Sequence, residues 1–303
     1  MTEVGEIIGV AVGHDTSNKE CPFCPEEEIP DFTTKAGLDN DGTTLGKNMN
    51  DPDGFASTRE KECRPKKKED FYQDPPSKKR KKELKEPTPI CTHPDVGDIS
   101  CEAHHLISGK QALAKNNEHD FEKWIQASQK NLIEKDTGYS VNNYDNGLWM
   151  PSVPEDTIGK AGAWGKLDRQ AVANWVMEET DIQFHKGGHS IPEKLEINGK
   201  MFRIPEDKRM HSRYDEYLIQ TLKLMSERMV GWSNKCKLCK DRSAKNQKLQ
   251  PSVRTNAYLD QLSNHVKGKI TGNRSTWSLF VSTLSWLYFA ETFSEEDIKK
   301  YEK

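Results

Sequence analysis

A chain of 303 residues has room for one large or two small domains. Only 33% of it is hydrophobic and 31% is charged, which excludes packing of the entire chain and leaves part of it extended or disordered. The formal net charge of −3 excludes any case for a nucleic-acid partner from overall charge, so that case rests on local features.

Residues 1–30 form an N-terminal segment. No basic stretch followed by an apolar core marks an ordinary secretory signal there. Glu6–Gly13 is a β-branched apolar run that suits a short strand. Cys21-Pro22-Phe23-Cys24 reads as half of a zinc knuckle. Residues 31–90 predict a charged connector, flexible or wrapped on the surface. It has turn signals at Asp39–Gly42 and Asp51–Gly54, and few apolar residues to bury. Its basic runs, Arg64–Lys68 and Lys78–Lys82, suit phosphate contact, but interspersed acidic residues favour a solvated linker.

Residues 91–192 carry the motifs. Ile99–Ile107 predicts a strand containing Ala103-His104-His105. Glu118–Leu132 has helical spacing, with Phe121, Trp124, Ile125 and Leu132 on one side and Gly138 as a C-cap. Asn142–Gly147 is a turn cluster, followed by a brief strand at Leu148–Pro151. The loop Gly159–Gly165 lacks the Gly-Lys-Ser/Thr ending of a P-loop, which argues against nucleotide binding. Asp168–Glu179 predicts a helix, and His185-Lys-Gly-Gly-His189 follows it.

Residues 193–303 read as mostly helical. Asp207–Trp232 has a buried stripe of Tyr214, Tyr217, Leu218, Leu222, Met225 and Met229. Cys236-Lys-Leu-Cys239 interrupts the helical pattern, and helices at Arg254–Val266 and Thr276–Phe293 come after it. The last of these is broken by Ser278, Ser282, Thr283 and Ser285. It falls short of the roughly 20 apolar residues that cross a bilayer, so we expect a buried helix and no membrane partner.

Hydrolysing a phosphodiester needs a metal to hold the phosphate and a base to activate water. Neutral imidazole suits both tasks. Consecutive strand residues point to opposite faces, so His104 and His105 can divide the work. His185 and His189, four apart, can chelate one ion from one helical turn. Asn146, beside Gly147, can tie its loop to the base or to the base's backbone.

The order His-His, then Asn146-Gly-Leu-Trp-Met-Pro151, then His185-x-Gly-x-His189 resembles the AHH branch of the HNH/endonuclease VII superfamily. That resemblance implies an α+β, mostly helical protein. Its ββα-metal (HNH) nuclease core, within residues 91–192, would carry helical insertions, with a helical region at 193–303. It also implies that His104, His185 and His189 bind one divalent ion (Mg, Mn, Ni or Zn), that His105 is the general base and that Asn146 orients it. Ser108 stands where proline is usual, no tyrosine follows His189, and both intervals are long, which makes Asn143 the fallback for Asn146. The family implies a DNase with little sequence preference, acting as an antibacterial toxin or type VI secretion effector. Such a protein is made in a bacterial cytoplasm, exported without a signal peptide and delivered to a target cell's cytoplasm. Its partners would be DNA, a cognate immunity protein and secretion-system tip or chaperone proteins.

The chain has seven cysteines, an odd number, and four lie in Cys-x-x-Cys pairs. This favours a reducing compartment and metal binding over disulfides. Cys21, Cys24, Cys236 and Cys239 are expected to share one structural zinc, with Cys91, His93 and Cys101 as a competing set. The alternatives to a nuclease are a non-catalytic zinc-stabilised nucleic-acid-binding protein and a secretion-apparatus adaptor.

Overall fold

The computed structural model describes residues 21, 23, 37–50, 91–114, 120–152, 169–185, 194–197, 200–203, 214–271 and 273–292. The expected strand at Glu6–Gly13, the two basic runs, the loop 159–165, Cys24 and His189 lie outside them. The protein is α+β, with small antiparallel pairings and a majority of helix among the described residues. It divides into two compact units, each assembled from three stretches: 1–85, 105–147 and 218–265 in the first, 86–104, 148–217 and 266–303 in the second. None of the described helices is long and apolar enough to cross a membrane.

The second unit is built on a three-stranded sheet in the order β1 (Cys91–His93), β2 (Gly97–His105), β3 (Gly147–Ser152). β1 and β2 are antiparallel and in register from Cys91 opposite Ile99 to His93 opposite Gly97. The turn between them is anchored by His93, whose Nδ1 accepts the N–H groups of Asp95 (3.0 Å) and Val96 (3.3 Å). Helix α2 (Arg169–Thr180) packs on β1. Val172, Ala173, Val176 and Met177 of α2 share a core with Ile99, Phe184, Trp277, Phe280 and Tyr288. A hairpin of β4 (Lys194–Ile197) and β5 (Lys200–Arg203) follows, within the region read as helical.

The first unit begins with α1 (Gly42–Asn50), a helix inside the stretch read as a connector. Asp41 caps it, its Oδ1 accepting the N–H groups of Thr43 (3.0 Å) and Thr44 (3.1 Å). Leu45 and Met49 of α1 are buried, and α1 packs on the 3-10 turn Tyr144–Asn146. Two long helices carry much of this unit: α3 (Tyr214–Lys235) through Leu218, Leu222, Met225 and Met229, and α5 (Val253–Ile270) through Leu259 and Leu262. The short helix α4 (Lys237–Ala244) lies between them in sequence.

Two expected helices take other forms. Phe121–Trp124 is a 3-10 turn, and the chain beyond it is irregular. Asp136 captures the Ala127 N–H at 2.6 Å and Thr137 bonds back to the Ile125 carbonyl, so helical pairing cannot propagate. At the C-terminal end α6 starts only at Thr283 and packs on α2. Upstream of it, the Gln183 carboxamide donates to the Leu279 carbonyl (2.7 Å) and accepts from the Val281 N–H (3.0 Å), holding that stretch out of a helix.

Candidate active site

In the second unit, β2 presents His104 and a distant residue meets it. The backbone N–H of His185 donates to the Pro151 carbonyl at the end of β3 (2.8 Å). This anchors His185, and its ring lies edge-on to His104 with centroids 4.8 Å apart at 63°. Glu102, two residues before His104 and so on the same strand face, has Oε2 3.6 Å from His185 Nδ1. His104 is buried, and its Nε2 lies 3.4 Å from the hydroxyl of Tyr214, a fully buried residue at the start of α3. Burial, and then the charge of Asp215, hold the Tyr214 phenol well above its ordinary pKa, so it stays neutral beside the imidazole. Two imidazoles and a carboxylate thus lie near one another, and Tyr214 is placed to orient one of the imidazoles. His185 lies in irregular chain just beyond α2.

In the first unit, three asparagines of one turn have three different tasks. Asn146 is buried and holds the backbone two residues beyond His105. Its Oδ1 accepts the Ile107 N–H (2.7 Å) and its Nδ2 donates to the carbonyls of Ile107 (2.9 Å) and Val141 (2.7 Å). Ser263 of α5 donates to the same Oδ1 at 2.9 Å. Asn143 caps the 3-10 turn, accepting from the Asn146 N–H and donating to the Ser140 carbonyl. Asn142 is the one that faces the His105 ring, with its Oδ1 2.7 Å from Nε2. Sequence reading missed Asn142, Glu102 and Tyr214. Only Glu102 had a usable signal, its i, i+2 spacing from His104 on a strand.

The first unit also gathers three cysteines. The sulfurs of Cys21, Cys236 and Cys239 all lie within 4.8 Å of one another, and this is the only such group of possible metal ligands among the described residues. Cys21 and Cys239 are 3.6 Å apart, far beyond the roughly 2.05 Å of a disulfide. Burial, ahead of other causes, pushes the Cys21 thiol up to about 11. Phe23 seats this segment by stacking on Trp124 at 4.9 Å, and Trp124 in turn donates to Ser226 of α3. The competing set of Cys91, His93 and Cys101 does not converge into such a group.

A family model described as AHH, a nuclease family of the HNH/ENDO VII superfamily with conserved AHH, matches residues 93–251, just over half of the chain. No curated protein and no solved structure matches the chain.

Proposed function

Because the chain belongs to the AHH family of HNH/ENDO VII superfamily nucleases, we propose that it is a divalent-metal-dependent DNase built on a ββα-metal core. The observation that carries this reading is the meeting of His104 with His185, brought together from distant parts of the sequence beside a carboxylate. His104, His185 and His189 are the proposed metal ligands. A bound ion there would supply Lewis-acid stabilisation of the scissile phosphate and the leaving oxygen.

His105 acts as the general base. It takes a proton from water as the water oxygen bonds to phosphorus and the phosphorus–oxygen bond to the leaving nucleotide breaks. Asn146 serves this step indirectly, by fixing the backbone at Ile107. Such a site reads backbone charge and shape more than base edges, so little sequence preference is expected.

The cellular role that fits is an antibacterial toxin, delivered to the cytoplasm of a target cell and neutralised in the producer by an immunity protein. Cys21, Cys236 and Cys239, with Cys24 three residues from Cys21, form a structural zinc site in this reading. The converged sulfurs support it.

The test is plasmid cleavage with Mg²⁺ or Mn²⁺, against the same reaction in EDTA and against His105→Ala. Metal-dependent nicking lost in both controls is the expected result. Intact plasmid under every metal tested rejects the nuclease reading and favours a non-catalytic nucleic-acid-binding protein.

A further inference from the structure

We propose that the segment Asp39–Asp41, which precedes the family-matched region, fixes the tautomer of His105 through Asn142 and so belongs to the catalytic apparatus. The proposal rests on the reading of His105 as general base.

The argument starts from groups whose polarity is unambiguous. The backbone N–H of Asp41 can only donate, and it points at Asn142 Oδ1 from 3.0 Å. The carbonyl of Asp39 can only accept, and it receives Asn142 Nδ2 at 3.0 Å. Turning the carboxamide over would set donor against donor and acceptor against acceptor, losing both bonds. The amide is therefore held with Oδ1 toward His105 Nε2, 2.7 Å away. An amide oxygen only accepts, so Nε2 must carry the proton. The lone pair then resides on Nδ1, the nitrogen that takes the proton from water in this reading.

The same segment grips the rest of the His105 loop. Asn40 donates to Ser108 Oγ (2.8 Å) and accepts the Gly109 N–H (2.7 Å). Gly37 pairs with the strand-like stretch at Tyr139–Val141, donating to the Tyr139 carbonyl and accepting the Val141 N–H, both at 2.9 Å. Asn48 of α1 donates to the Asn142 carbonyl at 2.6 Å. Residues 37–48 thus bind both sides of the turn that faces the base, although the family match begins only at residue 93. Asn142 is a positioning residue, acting on substrate through His105.

The experiment uses the full chain, with ¹⁵N-histidine labelling to read the His105 tautomer and steady-state DNA cleavage at one pH. Wild type should show the Nε2–H tautomer. Asn142→Ala should give mixed tautomers, with kcat lowered roughly 10- to 100-fold and KM unchanged. Asp41→Ala, which uncaps α1 without touching the ring, should lower kcat in the same direction but less. An unchanged tautomer in Asn142→Ala overturns the proposal. If Asn142→Ala does not fold, Asn142→Ser, whose side chain is too short to reach Nε2, decides by the same spectra. If wild type cleaves nothing, the base reading fails, and the spectra still show whether Asn142 sets the tautomer.

Discussion

Gly109 lies so close to the Leu38 carbonyl that a Cβ on it would overlap the oxygen and end 2.7 Å from the carbon. The neighbour is backbone held by the Asn40 contacts, so it cannot swing aside. Gly109→Ala should therefore destabilise the protein by about 3 kcal/mol. Gly147→Ala meets the flexible end of Met49 and should cost less, about 1 kcal/mol. Paired denaturant melts check the order, and equal costs would count against the fit described at Leu38.

His105→Ala should lower DNA cleavage by about 10²- to 10⁴-fold while leaving divalent-ion affinity unchanged. Cleavage rates and calorimetric Mn²⁺ titration on the same sample check the two halves. Loss of ion binding in this variant would reassign His105 to the ligand set.

Tyr214→Phe removes the hydroxyl beside His104 Nε2 and keeps the ring. Ion affinity should fall roughly 10- to 100-fold through loss of orientation of His104. An unchanged Mn²⁺ isotherm would limit Tyr214 to packing.

Purified protein should contain about one zinc per chain, and Cys236→Ser should lose it together with thermal stability. Elemental analysis and a melting curve with and without a chelator measure both. Ligand sulfurs must be thiolates, so zinc affinity should weaken as pH falls. A metal-free preparation whose melting curve ignores added zinc would remove the site.

The Thr44 hydroxyl, and next its N–H, hold the Asp41 carboxyl below its ordinary value of 3.8. A depressed folded value stabilises α1 fully above the unfolded value, and that support is lost as pH falls through the folded one. The amide-exchange protection factors at Thr43 and Thr44 should fall on acidification in wild type and stay flat in Asp41→Asn.

The strands at the motif and the α3 stripe were legible because their apolar spacing matches their burial, as for Leu218, Leu222, Met225 and Met229. Helix α1 was hidden because Leu45 and Met49 are its only large apolar residues, and they are used in tertiary packing rather than in a repeating pattern. In the sequence Asn198-Gly199 is a turn signal between the segments that become β4 and β5, but the helical pattern around it outweighs so short a cue. The breaks near Trp124 and Leu279 arise from side chains outside the local window, Asp136 and Gln183, which take backbone groups a helix would use. At the candidate site, motif order led to His104, His105 and His185. It could not tell which of three neighbouring asparagines turns toward the base, because Asn142 is held by Asp39 and Asp41, about a hundred residues away in the sequence.

The pairing of Cys91 with Ile99 and of His93 with Gly97 also sets the phase of everything downstream on β2. Side chains alternate along a strand, so one residue inserted between Gly97 and His104 would send His104 toward Asn142 and bring Ala103 to the neighbourhood of Tyr214 and His185. Both histidines would still be present in the chain, yet the meeting of His104 with His185 would be lost. The pair is thus protected against substitution by chemistry, but against insertion only by the hydrogen-bonded ladder of a three-residue edge strand.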